Sequence, residues 1–373
     1  MKILQLRSSP FIGSPEKMMI GRYRMRKGHN YCFGVFDEQL SGQNDFIREL
    51  RKLEAATINL GRSVFSFRET VTALHRFARE LDVALVCSND YKSNVFGLVL
   101  GRQAKLPAIA VFHGRTSKDA KVRFYERLDD IFLKYFDSVV AVSEYSRKQL
   151  QSIGVDSQKI HVIPNAVDEP SSSAAEESQS LRKEFGLTSR NNVILFVGRL
   201  SREKGLQSLV ESAAMLIRKH EDARFILVGE GPERANLTRL IARYGLEGHV
   251  TMTGYRHDVR GFIEISDFLV LPSVREGMPV VILEAFREGK AVVATGVGGV
   301  PEFVMHNVNG LIVKPGDTHE LTESLSFMLM NQDKALVMGR HGKALIREKY
   351  NFAVQAQEYG HLYDDVLSGF QRH

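Results

Sequence analysis

At 373 residues, 43% of them apolar, the chain is long enough for two domains with cores of their own, and its composition is that of an ordinary globular protein. No apolar run approaches the ~18 residues needed to cross a bilayer. The net charge of +6 is uneven: residues 1–170 carry 26 Lys and Arg against 19 Asp and Glu (+7), and residues 171–373 carry 24 against 25 (−1), so an acidic partner such as phospholipid, nucleic acid or a phosphorylated acceptor is expected at the first half.

The N-terminus, Met1-Lys2-Ile3-Leu4-Gln5-Leu6, lacks the long apolar region of a signal peptide and reads as a first strand. Further strand-like runs fall at 31–36, 56–60, 83–87, 108–112 and 138–142. Helical patterns lie between them, for example at 66–80, 95–103, 121–135 and 144–153. Such alternation predicts a parallel sheet covered by helices, with functional residues just past the strand ends. Past the first strand lies a turn containing Gly13 and Ser14. Past the fourth lies Ser88-Asn89-Asp90-Tyr91-Lys92-Ser93, which reads either as a solvated helix cap or as a loop facing a ligand. Past the fifth lies His113-Gly114. The only cysteines, Cys32 and Cys87, sit inside apolar runs with no metal-ligand spacing to histidine, so buried, inert thiols in a reduced, cytosolic compartment are expected.

Two basic stretches account for the charge. One runs over 17–27, with Lys17, Arg22, Arg24, Arg26 and Lys27 among Met18, Met19, Ile20 and Tyr23. The other runs over 115–127, with Arg115, Lys118, Lys121 and Arg123 beside Phe124 and Tyr125. Cations mixed with Met, Phe and Tyr can lie on an anionic membrane surface; the alternative is a normal helix surface with some core contacts.

Ile163-Pro164-Asn165-Ala166-Val167-Asp168 closes the first half. The following stretch, with Pro170, Ser171, Ser172 and Ser173, has linker composition and leads into a helix at 180–185. The second half repeats the alternation without sequence repetition, with strands at 193–197, 224–228, 250–253, 268–271, 291–294 and 311–313. After the first of these comes Gly198-Arg199-Leu200-Ser201-Arg202-Glu203-Lys204-Gly205. Here Gly198 permits a tight turn, and Arg199 and Lys204 can converge on one diphosphate. Gly229-Glu230-Gly231 begins like a dinucleotide fingerprint, but Arg234 stands at the third glycine position, so a nicotinamide dehydrogenase is rejected. The last segment has apolar positions at Ala353, Tyr359, Leu362, Tyr363, Val366, Leu367 and Phe370, as in an amphipathic helix.

The stretch Arg275-Glu276-Gly277-Met278-Pro279-Val280-Val281-Ile282-Leu283-Glu284 follows the apolar run 268–271 and opens a helix, with Pro279 suited to the first helical position. The free N–H groups of Met278, Val280 and Val281 would then form an anion site. Glu284 would lie roughly 7–8 Å down the axis at ~1.5 Å per residue. A phosphate on the helix end would leave Glu284 placed for a ribose diol and Glu276 for hydroxyls on the other side. A sugar–diphosphate–ribose ligand fits.

Glu-x7-Glu in this setting resembles the donor-site motif of the retaining glycosyltransferases of family 4. That resemblance implies an α/β, GT-B architecture of two facing Rossmann-like, doubly wound domains, with a final helix crossing back to the N-terminal domain. The expected division is 1–165 with 352–373 as an acceptor-binding domain, 166–190 as a linker, and 191–351 as a nucleotide-sugar-binding domain. The resemblance also assigns roles. Arg199 and Lys204 form a diphosphate clamp beside Gly198. Gly229 borders the nucleotide, and Tyr255 and Arg256 place backbone groups against the base. Gly277, Met278, Pro279 and Val280 form the helix mouth, and Glu284 holds the ribose. His113 and Glu276 stand at the reaction centre, His113 near the transferred sugar. Gly13 either lines the site or is a turn glycine, since the usual Gly-Gly pair of the family is lacking. Ala166 likewise replaces the usual Gly of the family's domain junction.

The implied reaction moves a sugar from a nucleotide diphosphate to an acceptor hydroxyl with retention, in polysaccharide or lipid-linked glycan synthesis, on a cytoplasmic protein that can be peripheral on the membrane. No cofactor and no metal are expected, in keeping with the lack of any Asp-x-Asp in the chain. No nucleic-acid partner is expected. The alternatives are a GT-B epimerase or phosphorylase, or a non-catalytic protein that uses its basic half for nucleic acid.

Overall fold

The structure, a computed structural model, describes residues 1–9, 11–25, 28–37, 44–61, 67–115, 120–169 and 175–370. Arg26, Lys27 and Lys118 of the basic stretches, the Lys121 side chain, and 170–174 of the expected linker lie outside them. Two compact units divide the chain: Met1–Ala166 with Phe352–His373, and Val167–Asn351.

In the first unit the chain runs β1 (Lys2–Ser8), α1 (Ser14–Met25), β2 (Asn30–Phe36), α2 (Asp45–Lys52), β3 (Thr57–Asn59), α3 (Phe67–Glu80), β4 (Val83–Ser88) and α4 (Tyr91–Ala104). It continues through β5 (Ala108–Phe112), α5 (Ala120–Phe132), β6 (Ser138–Ala141), α6 (Glu144–Ser152) and β7 (Ile160–Val162). The strands are short apolar runs because helices cover both faces of a parallel sheet, leaving no solvated side to alternate toward. Their order is β3-β2-β1-β4-β5-β6-β7. Leu4 of β1 faces Cys32 on one side and Val86 on the other, and all three are fully buried. Leu74 of α3 and Leu100 of α4 close that part of the core. Ala110, Val139, Phe136 and Leu150 form a second cluster. Strand β7 was not expected from the sequence. Its three residues extend the sheet beside β6, with His161 opposite Val140.

The second unit runs α7 (Ala175–Glu184), β8 (Asn192–Val197), α8 (Leu206–Leu216), β9 (Ala223–Val228), α9 (Arg234–Arg243), β10 (Val250–Gly254) and α10 (Val259–Ile265). Then follow β11 (Phe268–Leu271), α11 (Val280–Arg287), β12 (Ala291–Thr295), β13 (Gly310–Val313), α12 (Thr318–Met330) and α13 (Gln332–Glu348). Its parallel sheet has the order β10-β9-β8-β11-β12-β13. Part of the expected linker belongs to this unit. In α7, Leu181 is buried and Arg182 donates to the Ile265 carbonyl at 3.2 Å; just beyond it, Phe185 meets Phe262 edge-on at 5.5 Å. An apolar contact and a capped carbonyl outweigh the polar composition of the stretch.

The final helix, α14 (Phe352–Phe370), returns to the first unit and packs on α1. A side chain at Gly21 would overlap the Phe352 ring, so α1 presents a glycine there. Tyr359, Leu362 and Tyr363 are buried, whereas Phe370 is exposed. This packing corrects the membrane reading of the first basic stretch. Met18, Met19, Ile20 and Tyr23 of α1 are core residues, and the buried Arg22 lies over the Tyr359 ring at 4.2 Å. A lipid surface could reach little of that helix. Both thiols are also core: burial pushes Cys32 up to about 12 and Cys87 up to about 11.

Candidate active site

Each sheet reverses direction of strand order once, between β1 and β4 in the first unit and between β8 and β11 in the second. In open parallel sheets the crevice beyond that point receives the ligand. In the second unit it is flanked by the turn after β8, which carries Gly198, Arg199, Lys204 and Gly205, and by the turn after β11, which carries Ser273, Glu276 and Pro279.

Two glycines make the turns fit. Gly205, at φ +63°, lies so close to the Pro272 carbonyl that an added Cβ would stand 2.1 Å from its oxygen. Gly298, at φ +58°, lies equally close to Glu276, with 1.8 Å to that carbonyl oxygen. Both the left-handed backbone and the contact demand glycine. Val274 N–H donates to the Glu203 carbonyl at 2.8 Å, and Gly299 N–H donates to the Gly277 carbonyl at 3.0 Å. The result is a Lys204 ammonium 2.6 Å from Glu276 Oε1, an oxygen that also accepts from Ser273 Oγ at 2.6 Å. Lys204 and Glu276 are therefore neighbours in the folded chain although 72 residues apart. Arg199 is exposed, and its guanidinium has no hydrogen bond or ion pair among the described residues.

The helix mouth differs from the sequence expectation by one position. Pro279 has extended backbone and is the N-cap of α11, so the helix begins at Val280. Ile282 N–H is already taken by the Pro279 carbonyl at 3.2 Å. The amides of Val280 and Val281 have no acceptor among the described residues and form the anion-seeking end. Met278 and Val280 are buried, and Glu284 is a buried residue in the second turn of α11.

Gly198 and Gly229 lie against each other at the ends of β8 and β9, Gly198 N–H donating to the Val228 carbonyl at 3.0 Å and Gly229 N–H to the Gly254 carbonyl at 2.9 Å. Tyr255 follows, about half exposed and edge-on to His257. The side chain of Arg256 is already engaged: it pairs with Glu184 of α7 at 2.7 Å and Asp258 at 2.6 Å and lies over Phe262. Its guanidinium thus ties α7 to the β10–α10 turn, and only its backbone remains for a base.

His113 and Gly13 belong to the first unit. The His113 ring Nε2 is shielded from solvent without a partner. Burial, and then the charges of Arg7 and Arg22, depress its pKa to about 3, so the imidazole is neutral at physiological pH. Gly13 N–H donates to Glu16 Oε2 at 2.9 Å, closing a turn rather than offering itself to a phosphate. Glu16 in turn takes Arg7 Nε at 2.6 Å. The loop after β4 is a cap, as expected, but not a solvated one: Asp90 caps α4 and accepts Ser8 N–H at 2.7 Å, and Asn89 is buried.

Comparison with known proteins is consistent across sequence and structure. The family described as Glycosyl transferases group 1 matches residues 177–345, and that described as Glycosyltransferase Family 4 matches residues 25–169. The chain belongs to the group 1, family 4-type glycosyltransferases. It is 25% identical over 294 residues to the alpha-D-kanosaminyltransferase of Streptomyces kanamyceticus, covering 75% of this chain and 76% of that one. It is 28% identical over 347 residues to the N,N'-diacetylbacillosaminyl-diphospho-undecaprenol alpha-1,3-N-acetylgalactosaminyltransferase of Campylobacter jejuni, covering 87% and 90%. Among solved structures, HepE of Anabaena in complex with UDP-glucose superposes with a TM-score of 0.86 at 24% identity over 98% of this chain and 99% of that one. The two Rossmann-like units are those of the GT-B fold.

In this glycosyltransferase several contributors to the site carried no separate sequence signal. Ser273 lies two residues past a strand and Gly298 in a glycine-rich turn, and neither residue type points to a site by itself. The Arg7–Glu16–Asp90 cluster carries no motif: Arg7 lies near the end of β1, Glu16 in the first turn of α1 and Asp90 at the cap of α4, and only the fold brings them together. Ser273 could have been found from its place directly after β11, at the position where the sheet reverses.

Proposed function

We propose that the chain transfers a sugar from a nucleoside diphosphate to an acceptor hydroxyl with retention at the anomeric carbon, in the assembly of a polysaccharide or a lipid-linked glycan. The observation that carries this reading is the Lys204 ammonium joined to Glu276 beside the open end of α11. As the bond from the anomeric carbon to the diphosphate oxygen breaks, its electron pair leaves on the diphosphate. Lys204, Arg199 and the Val280 and Val281 amides meet that growing charge. Donors placed in this way typically lower a barrier by ~3–4 kcal/mol each, so the residues can do the work of a divalent metal. Glu276 takes the sugar hydroxyls and Glu284 the ribose diol. The acceptor oxygen bonds to the same face of the anomeric carbon, and its proton passes to a departing phosphate oxygen. The neutral His113 is suited to hydrogen bonding with a sugar hydroxyl, not to carrying charge.

The UDP-glucose bound to HepE and the diphospho-undecaprenol acceptor named for the Campylobacter relative support a nucleotide sugar and a lipid-linked acceptor. No helix among the described residues is long and apolar enough to cross a membrane. Peripheral contact at the inner, cytoplasmic face is supported by α5 and the turn after it: Phe124, Leu128, Ile131 and Tyr135 are exposed alongside Arg123, Arg127 and Lys134.

A thermal-shift screen of nucleotide sugars defines the donor. Incubation of that donor alone, followed by NMR of the anomeric and ring protons, separates transfer from epimerisation. The expected result is a stabilising donor that stays unchanged until an acceptor is added. Conversion of the sugar without acceptor would make the protein an epimerase.

A further inference from the structure

We infer that Ser273 is a positioning residue that holds the Glu276 carboxylate for the donor sugar while Lys204 serves the diphosphate; this rests on the donor-site reading above. Glu276 Oε1 has two donors, Lys204 Nζ and Ser273 Oγ, each at 2.6 Å. They differ in what a ligand does to them. A diphosphate arriving at the helix mouth competes for the ammonium, since its negative charge attracts Lys204 as Glu276 does. The Ser273 hydroxyl is neutral and fully buried, and its backbone carbonyl is itself held by the Thr295 hydroxyl. It has no reason to move. When Lys204 turns to phosphate, Ser273 keeps a charge-assisted hydrogen bond on Oε1. The carboxylate is then neither stranded nor free to follow the lysine. Its other oxygen, Oε2, accepts nothing among the described residues and stays open to the sugar hydroxyls.

The consequence is a division of labour that binding can read. Ser273 should matter for the sugar and not for the nucleotide. Calorimetric titrations of the full-length protein with glucose carried on UDP, GDP, ADP and dTDP, and with the four free nucleoside diphosphates, identify the pair that the wild type binds. With that pair, Ser273→Ala is expected to leave the nucleoside diphosphate Kd within about twofold and to raise the nucleotide-sugar Kd about tenfold or more, the scale of a lost hydrogen bond to a charged group. Ser273→Cys leaves no cavity and offers a weaker donor, and it should show the same pattern at smaller size even if the alanine variant folds poorly. In a Glu276→Gln background the further change Ser273→Ala should weaken nucleotide-sugar binding by less than in the wild type, because the two residues act through one carboxylate. Equal weakening of both ligands by the Ser273 variants, or no weakening of either, would overturn the assignment while the donor site stands. A wild type that binds none of the eight ligands would overturn the donor-site reading and the assignment with it.

Discussion

Glu276 and Lys204 are joined as an ion pair, and this pairing sets what a ligand must do. A carboxylate and an ammonium that are each largely withdrawn from water are costly to separate unless a new partner replaces the old one. A diphosphate is such a partner for Lys204, and Ser273 together with sugar hydroxyls is such a partner for Glu276. At His113 the controlling effect is instead burial. Its pKa of about 3, set by burial and then by Arg7 and Arg22, lies below the ordinary 6.5. In the unfolded chain the ring binds a proton as pH drops through 6.5, whereas in the folded chain it does not. His113 therefore contributes stability that is complete above pH 6.5 and is lost as pH falls from there toward 3. The wild type should lose more of its denaturant midpoint between pH 7 and pH 5 than His113→Gln does, and the His113 ring NMR signals should stay constant over that range. Titration of those signals near pH 6.5 would refute a neutral, shielded imidazole.

At the scale of elements, the parallel strands could be read because each is an apolar run with a turn signal behind it. Phe268–Leu271 and Ala108–Phe112 are found where the sequence puts them. Strand β7 could not, because three residues, one of them His161, give no pattern; pairing with β6 makes them a strand. Helix α11 starts one residue later than the sequence suggests because Pro279 suits either side of a helix boundary, and only its extended backbone tells which. Lys204 and Glu276 were legible as motif members. Their contact was not, since it depends on Gly205 and Gly298 letting two distant turns touch. The two basic stretches look alike in sequence, yet α1 spends its apolar residues on α14 while α5 leaves Phe124, 59% exposed, and Ile131, 52% exposed, in solvent. Helix α5 is therefore the element expected to meet a membrane. Phe124→Ser with Ile131→Ser should reduce sedimentation with anionic liposomes at low salt by about tenfold, given ~1.5–3 kcal/mol for burying each large apolar side chain and only partial insertion. Wild-type protein that stays in the supernatant under those conditions would remove the membrane contact.

At the scale of the molecule, both units use one solution. Each is a parallel sheet whose strand order reverses beside its first strand, and each gathers its polar and charged residues there: Arg7, Glu16 and Asp90 in one, Lys204, Ser273 and Glu276 in the other. The division of charge along the sequence follows the same units, the first being the basic one. Family membership and fold together make the chain a glycosyltransferase, and the second unit supplies the groups suited to a leaving diphosphate. The most direct test of that claim is steady-state transfer from the identified donor by Lys204→Ala, with folding checked by circular dichroism. Turnover is expected to fall about 10²–10³-fold, the loss of one placed charge donor. Turnover within a few-fold of the wild type would contradict it.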